Sequence, residues 1–327
     1  MEDEMEDTSL PQNGFDHPVF HFTREMMEGP IYRKYEKAIN SVWNPRDIDF
    51  AADAEDWQRL PEDKRRGLLG ITTRFFAGEQ TVTNELVPMI AAAYALGRYD
   101  WIMYLSSFML EEAKHSEFFA RWHDEVTGLL DPEELEPYFL DRTTTVDPSG
   151  RFEIKDVING GLPRYGRELT EAVSRGERNE IERHAVRFAT LYNGFAEGVL
   201  TMPSYEIVID TTTQWGAFSA LAQGFRRILA DEGRHITFGT TVVGELVSAR
   251  PELEADVHSV FDEFRGNIVG LVEYQKAVPG LDVQKYQTQK VRHYRNRCRE
   301  MKVTVDETIV EQILDPSIDF VVGVDAG

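Results

Sequence analysis

Two Glu-x-x-His sequences, Glu112–His115 and Glu232–His235, constrain the fold of this chain more than any other feature. Positions i and i+3 of an α-helix lie on the same side, so each pair can present a carboxylate and an imidazole to one metal ion. Each pair lies in the middle of an apolar helical face, where an unpaired charge is very costly. Taken alone, either pair could still be a hydrogen-bonded core histidine and a glutamate in an ion pair between helices.

Two further glutamates, Glu79 and Glu197, complete a matched set. Thirty-three residues separate Glu79 from Glu112, and 35 separate Glu197 from Glu232, which suits helices that end, turn and return antiparallel at the same depth. The four carboxylates carry a charge that two divalent cations would balance. This is the ligand pattern of a dimetal-carboxylate four-helix bundle. The candidate metal ligands are therefore Glu79, Glu112, His115, Glu197, Glu232 and His235.

Helical periodicity runs through nearly the whole chain and predicts an all-α protein, with a ferritin-like four-helix bundle core and additional flanking helices. The long helices are expected to begin after Pro61, at Tyr99, near Arg167 and near Trp215. Residues 131–165, rich in Thr, Gly and Pro, predict a loop or a small hairpin. We expect three parts, which are a disordered acidic tail at residues 1–14, one dimetal-carboxylate domain at residues 15–302 and a C-terminal tail at residues 303–327.

The charge of the chain limits its partners. With 35 basic and 57 acidic residues, its net charge of −22 repels nucleic acid and anionic membrane surfaces. No uncharged apolar run reaches the roughly 18 to 20 residues that a membrane span needs. The single cysteine, Cys298, and an acidic N-terminus without an apolar segment favour the reducing cytoplasm. Only 9 basic residues are Lys, so the acidic surface favours a salt-loving source, with an ordinary acidic cytosolic protein as the alternative.

The order of the candidate ligands resembles the small-subunit superfamily of class I ribonucleotide reductase. The segments WNPRDIDF, at Trp43–Phe50, and Leu60–Glu62 resemble the beginning of that fold, and the likeness covers roughly residues 18–300. Asp231, immediately before Glu232, is a candidate partner that orients the ring of His115, with an exposed helix carboxylate as the alternative. Trp43 is a second candidate for a place around the ligands.

One departure from that superfamily decides which branch the chain resembles. Radical-bearing small subunits place a tyrosine one helical turn after the first ligand histidine, and this chain has Phe119 there. A reductase small subunit without the radical tyrosine stays an alternative, as does a ferritin-like storage protein. No tyrosine follows Tyr294, which speaks against a radical-relay tail. The ligand-binding oxidase branch is more similar, because it shares both ligand intervals, a valine at Val82 and a tyrosine at Tyr192.

In that branch the valine and the tyrosine become joined by an ether crosslink, so the resemblance implies a link between Val82 and Tyr192. Spacing supports half of this expectation. Val82 follows Glu79 by three residues and should face the metals. Tyr192 precedes Glu197 by five residues, about 140° round an ideal α-helix. Only the likeness, or a local distortion of the helix, would bring Tyr192 to the site.

The resemblance also implies the cofactor and the ligand. It implies one manganese and one iron ion per chain, with Glu112 as a bridge, although these ligand types suit both metals and a di-iron pair is the alternative. It implies an oxidoreductase that carries out a two-electron oxidation with dioxygen, binds a long-chain fatty acid or similar hydrophobic molecule and forms a homodimer. The small or polar residues that could leave room for a ligand channel are Thr190, Asn193, Gly194 and Gly198.

Overall fold

The computed structural model describes residues 21–140, 155–269 and 283–315, and helices form nearly all of these segments. The acidic tail expected at residues 1–14 lies outside them. The α-helices, in chain order, are α1 (Arg24–Glu28), α2 (Pro30–Asn40), α3 (Ala51–Arg59), α4 (Glu62–Ala95), α5 (Tyr99–Trp122), α6 (Pro132–Leu140), α7 (Leu162–Arg175), α8 (Arg178–Ala189), α9 (Met202–Trp215), α10 (Ser219–Ala249), α11 (Glu254–Glu263), α12 (Arg265–Val269), α13 (Val283–Glu300) and α14 (Glu307–Leu314).

Three of the described stretches have the wider turn of a π-helix, in which each N–H bonds to the carbonyl five residues earlier. Two are short, at His123–Thr127 after α5 and at Val157–Gly161 before α7. The third, Thr190–Thr201, continues α8 for twelve residues and leads into α9. Because it contains Glu197, this π-helix belongs to the part of the bundle that carries the candidate ligands.

Four long helical segments form the bundle predicted from the sequence. Helix α4 packs against α5, while α10 packs against α8 and the π-helix at Thr190–Thr201, which is called the π-helix below. The turn between α4 and α5 is only three residues long and contains Gly97, whose φ of +69° suits a residue without a Cβ. Such a short turn makes α4 and α5 antiparallel neighbours, as the interval between Glu79 and Glu112 predicts.

Two apolar clusters fill the bundle, one on each side of the candidate ligands. Along α5, the ligands come after Phe108 of one cluster and before Phe119 of the other. Along α10 the order is reversed, because Phe225 belongs to the second cluster and Phe238 to the first. The two helices therefore run in opposite directions through a polar layer at one depth of the core.

The start of α10 is held by a carboxylate from another helix. Asp53 of α3 is fully buried, and its two oxygens accept the backbone N–H groups of Ala220 and Leu221 at 3.0 and 2.8 Å. The first N–H groups of a helix have no partner within the helix, so this contact acts as an N-cap from a distance. Asp56 likewise accepts the N–H of Phe218 at 2.9 Å. These contacts set the position of α10 relative to the rest of the bundle.

Two of the predictions from sequence need adjustment. The loop or hairpin predicted at residues 131–165 is wrong for its described residues, since α6 and the start of α7 lie there. Proline is tolerated in the first turn of a helix, and it occupies that place in both. The segment expected as a tail from residue 303 carries α14, whose Ile309, Val310 and Ile313 are buried. Within the described ranges no helix is both long and apolar enough to cross a bilayer.

Candidate metal centre

The six candidate ligands meet in the polar layer between the apolar clusters. None of these six residues is more than 6% exposed. They form two overlapping groups, in each of which the ligand atoms lie within 4.8 Å of one another. One group is Glu79, Glu112, His115 and Glu232, and the other is Glu112, Glu197, Glu232 and His235.

Two glutamates belong to both groups, and each directs one oxygen to each imidazole. Glu112 places Oε2 at 3.6 Å from Nδ1 of His115 and Oε1 at 3.1 Å from Nδ1 of His235. Glu232 places Oε1 at 3.6 Å from Nδ1 of His115 and Oε2 at 3.5 Å from Nδ1 of His235. The resemblance implied Glu112 as a bridge, and this geometry suits Glu232 in that role as well.

A buried carboxylate holds the outer nitrogen of each imidazole. Nε2 of His115 lies 3.1 Å from Asp231, and Nε2 of His235 lies 2.8 Å from Glu111. Asp231 is 1% exposed, so it is not the exposed helix carboxylate that the sequence left open. With Nε2 engaged on both rings, Nδ1 is the atom directed at the four glutamates, which is how outer carboxylates orient ligand histidines.

Sequence reasoning missed Glu111, although a signal was present. Glu111 immediately precedes Glu112, as Asp231 immediately precedes Glu232, so the same acidic-Glu-x-x-His pattern occurs twice. Each of these first acidic residues contacts the histidine of the other pattern. Arg234 forms hydrogen bonds with both of them and so ties the two patterns together.

Trp43 lies beside the outer carboxylate, as suggested. Its Nε1 donates a hydrogen bond to Asp231 at 2.7 Å, and its ring stacks on that of His115 with 6.2 Å between centroids. Lys114 contributes Nζ at 3.2 Å from the same carboxylate and 4.8 Å from the centre of the Trp43 ring. Burial alone would raise the pKa of Asp231. His115, Lys114 and Trp43 outweigh it, so this pKa lies well below its ordinary value.

Tyr192 reaches the site, which ideal α-helical spacing does not predict. Its hydroxyl donates a hydrogen bond to Oε1 of Glu112 at 3.0 Å, and the residue lies in the π-helix. Val82 is buried in the same apolar cluster as Tyr192. A second phenol, that of Tyr205, donates to Glu232 at 3.3 Å, and sequence reasoning did not identify it.

The ionisation of the cluster follows from its burial. Burial is the main cause that raises the pKa of Glu79 and of Glu197 well above the ordinary value. Burial alone would lower the pKa of His115 and of His235, but the surrounding carboxylates raise both well above the ordinary value. Burial also raises the pKa of Glu112, yet its two imidazole neighbours outweigh it and hold that pKa below the ordinary range. Carboxylates placed like this hold either protons or cations.

The donor set fits two metal ions. Oε2 of Glu112 and Nδ1 of His235 are buried and have no hydrogen-bond partner in the described parts of the chain, although both point into the cluster. Buried polar atoms nearly always have a partner. Two unpaired ligand atoms that point into the same cluster therefore indicate that metal ions bind there. Carboxylate oxygens and imidazole nitrogens are ligands that divalent manganese and iron both accept.

The space expected beside the third ligand is occupied by the protein itself. A Cβ added at Gly194 would lie 3.2 Å from the sulfur of Met301, and one at Gly198 would lie 2.8 Å from Arg297. These glycines therefore allow the C-terminal part of the chain to pack closely on the π-helix. The ligand channel predicted from their small size is not formed at these two positions.

Comparisons of this chain with known proteins agree with the metal centre described above. The family model of the ribonucleotide reductase small chain matches residues 24–294. A valine-to-leucine variant of an R2-like ligand-binding oxidase, with an aerobically reconstituted Mn/Fe cofactor, is similar at 28% identity and a TM-score of 0.69, over 85% of this chain and 94% of that chain. A tyrosine-to-phenylalanine variant with an anaerobically reconstituted Mn/Fe cofactor gives the same four values. Because the family model matches most of its length, the chain belongs to the ribonucleotide reductase small-chain family.

Proposed function

We propose that this chain is a dioxygen-activating oxidase that carries one manganese and one iron ion, with a di-iron pair as the alternative. The observation that carries the proposal is the buried set of four carboxylates and two imidazoles, in which two glutamates are shared. The similar oxidases carry Mn/Fe cofactors, which supports that pair here. In our proposal manganese is held at site one by Glu79, Glu112 and His115, and iron at site two by Glu197, Glu232 and His235.

When bound, the metal pair would supply the redox chemistry that reduces dioxygen and removes hydrogen from an unactivated C–H bond. The chain's own residues prepare the place for it. Asp231 and Glu111 hold the two imidazole rings, and the apolar clusters on both sides exclude bulk water. Glu112 accepts the hydrogen bond of Tyr192, so the phenolic proton already faces a carboxylate oxygen.

The first product in this proposal is an ether bond between Val82 and Tyr192. Two observations support this bond: Val82 follows Glu79 by one helical turn, and the Tyr192 hydroxyl lies against Glu112. Forming the bond removes one hydrogen from a side-chain carbon of Val82 and one from the oxygen of Tyr192. The two hydrogens would supply two electrons and two protons, and the reduced metal pair would supply two more electrons. With two further protons from solvent, dioxygen would then leave as two water molecules.

For the ligand we propose a long-chain fatty acid or a similar hydrophobic molecule. The similar proteins are named as ligand-binding oxidases, and apolar clusters border the carboxylate layer on both sides. Solvent extraction of protein isolated from cells, followed by mass spectrometry, tests this part. A stoichiometric lipid supports it, and protein that is fully loaded with metal but yields no bound molecule contradicts it.

A reductase small subunit without the radical tyrosine is the second candidate, and one feature favours it. The contacts from His115 through Asp231 to Trp43 connect the candidate centre to a partly exposed tryptophan. Phe119 argues the other way, since it is fully buried and stacks on Phe75 with 5.9 Å between ring centroids. Ribonucleotide reduction by this chain with a cognate large subunit would favour the reductase.

We propose that the chain works as a homodimer in the reducing cytoplasm. Helix α5 presents an uncharged outer strip, in which Ser106, Leu110 and Ala113 are exposed at helical spacing, and Leu110 is 52% exposed. Native mass measurement should find a dimer, and Leu110→Arg should shift it to a monomer. A wild-type monomer at micromolar concentration would contradict this part.

The test of the central proposal is a crystal structure of protein loaded with manganese and iron, with anomalous data at both metal edges. The expected result is two ions about 3.5 to 4 Å apart, as in other two-metal sites, with one element dominant at each position. A parallel sample exposed to air should consume dioxygen, and a matched sample kept anaerobic should show no modification of Val82. Protein with no more than trace metal after such loading would overturn the proposal.

A further inference from the structure

One of the four carboxylates differs from the others in its surroundings. Glu197 places Oε1 at 3.9 Å from Nδ1 of His235, on the side of the other ligands. Its second oxygen, Oε2, instead accepts a hydrogen bond at 2.7 Å from the side-chain amide of Asn193. Among the described contacts of the four carboxylates, this is the one made with an amide. The two oxygens of Glu197 therefore have different partners.

Asn193 itself is held in place by close packing. It is 3% exposed, and it lies four residues before Glu197 in the π-helix, so the two side chains are neighbours. On the opposite side it meets Gly239 of α10, where an added Cβ would lie 2.2 Å from Oδ1 of Asn193 and 2.3 Å from its Cβ. The amide of Asn193 thus occupies space that a side chain at position 239 would fill, and its amino group donates to Glu197.

We infer that Asn193 is a positioning residue that restricts Glu197 to ligation through one oxygen and so keeps a coordination position open at site two. This inference rests on the proposed function. Site two has four donors when each residue contributes one atom, namely Glu112, Glu197, Glu232 and His235. Iron and manganese accept up to six donors, so positions remain for dioxygen and for a bound ligand. If both oxygens of Glu197 bound the metal, they would occupy one of these coordination positions.

The geometry explains why an amide suits this task. A carboxylate oxygen that accepts a short N–H bond is drawn toward its donor, and a neutral amide adds no charge that would change the balance with the metals. A cation in the same place would compete with the metal for the carboxylate. A purely apolar residue would leave Oε2 buried without a partner, and the metal would then be the nearest group able to satisfy it.

Asn193→Leu tests the inference, because leucine has the same number of side-chain heavy atoms in the same branched arrangement and no donor. In protein loaded anaerobically with manganese and iron, wild-type Glu197 should bind through one oxygen and the variant through both, as read from a crystal structure and from X-ray absorption at the iron edge. Both proteins should hold two metals. Dioxygen consumption by the variant should be slower by about tenfold or more, the range seen when groups that orient ligands are altered.

Thr201→Val is the matched control, since Thr201 donates to the backbone carbonyl of Glu197 at 3.1 Å and not to its carboxylate. It should leave both the ligation and the rate unchanged. If Asn193→Leu does not fold, Asn193→Ala removes the same donor without adding bulk. Wild-type protein with two metals and Glu197 bound through both oxygens would overturn this inference alone, as would a variant with one-oxygen ligation and a normal rate. Wild-type protein without the metal pair would overturn the proposed function as well.

Discussion

The hydroxyl of Tyr192 donates a hydrogen bond to Oε1 of Glu112 at 3.0 Å, although these residues lie on different segments of the bundle. In a regular α-helix Tyr192 would lie about 140° away from the face that carries Glu197. The π-helix at Thr190–Thr201 has a wider turn, which brings the fifth residue back toward that face. The conformation of one segment thus places a phenol against the carboxylates.

The proposed crosslink between Val82 and Tyr192 depends on this contact, so we predict that Tyr192→Phe abolishes it. After aerobic loading with manganese and iron, wild-type protein should lose the mass of two hydrogen atoms, and digestion should yield the Val82 and Tyr192 peptides joined. The variant should keep its full mass and its two metals. Tyr104→Phe is the control, since Tyr104 is also fully buried but its hydroxyl has no hydrogen-bond partner among the described residues. Separate peptides from fully loaded, air-exposed wild-type protein would contradict the prediction.

Each shared glutamate should matter to both metals. Because Glu112 faces both imidazoles, Glu112→Gln should weaken binding of both ions, by about 100-fold or more, the upper end of the range seen even for outer residues. Metal analysis after dialysis against a weak chelator measures this. Glu117→Gln on the same helix is the control, because Glu117 pairs with the exposed Arg46. Full retention of both metals by the Glu112 variant would show that Glu112 is not a ligand.

The outer carboxylates should act on one metal each. Asp231→Asn should weaken the site that contains His115, and Glu111→Gln should weaken the site that contains His235, each by about 10- to 100-fold. Anomalous scattering at each metal position reads the two occupancies separately, so each variant serves as the control for the other. Equal loss at both positions in both variants would mean that these residues stabilise the bundle without orienting a particular ring.

Metal binding should release protons. The pKa values of Glu79 and Glu197 are raised mainly by burial, so these carboxyls keep their protons to higher pH than free ones. The raised pKa values of His115 and His235 act in the same direction. Because a metal needs the deprotonated ligands, its affinity should rise with pH and fall as the pH is lowered. Calorimetry in two buffers of different ionisation enthalpy counts the protons, and a heat that is the same in both buffers would contradict this prediction.

The remote cap of α10 should contribute to stability. Asp53→Ala removes the acceptor of two backbone N–H groups, and the free energy of unfolding should fall by about 2 kcal/mol, the upper end of the range for lost caps. Urea denaturation of metal-free protein measures it. Glu55→Ala is the control, because its ion pair with Arg59 is exposed on both sides. An unchanged midpoint for Asp53→Ala would show that the start of α10 is held by other contacts.

The four ligands of the two Glu-x-x-His sequences could be named from the sequence because two local signals coincide in them. Helical spacing reports which side of a regular helix a residue faces, and a charge on an apolar face needs a partner. Both signals are complete within a few residues of Glu112 or of Glu232. The similar intervals of 33 and 35 residues then added Glu79 and Glu197 and indicated antiparallel helices, and the short turn at Gly97 and the two apolar clusters confirm that arrangement.

Contacts between helices were decided by the tertiary structure alone. The partner of His235 is Glu111, on another helix and 124 positions away, and Asp53 caps a helix that begins more than 160 positions later. Such pairings depend on how far one helix slides and rotates against the next, which packing of the whole core determines. The π-helical turn that brings Tyr192 to Glu112 was also decided by the tertiary structure. Helical spacing derived from the sequence assumes a regular α-helix and does not predict this turn.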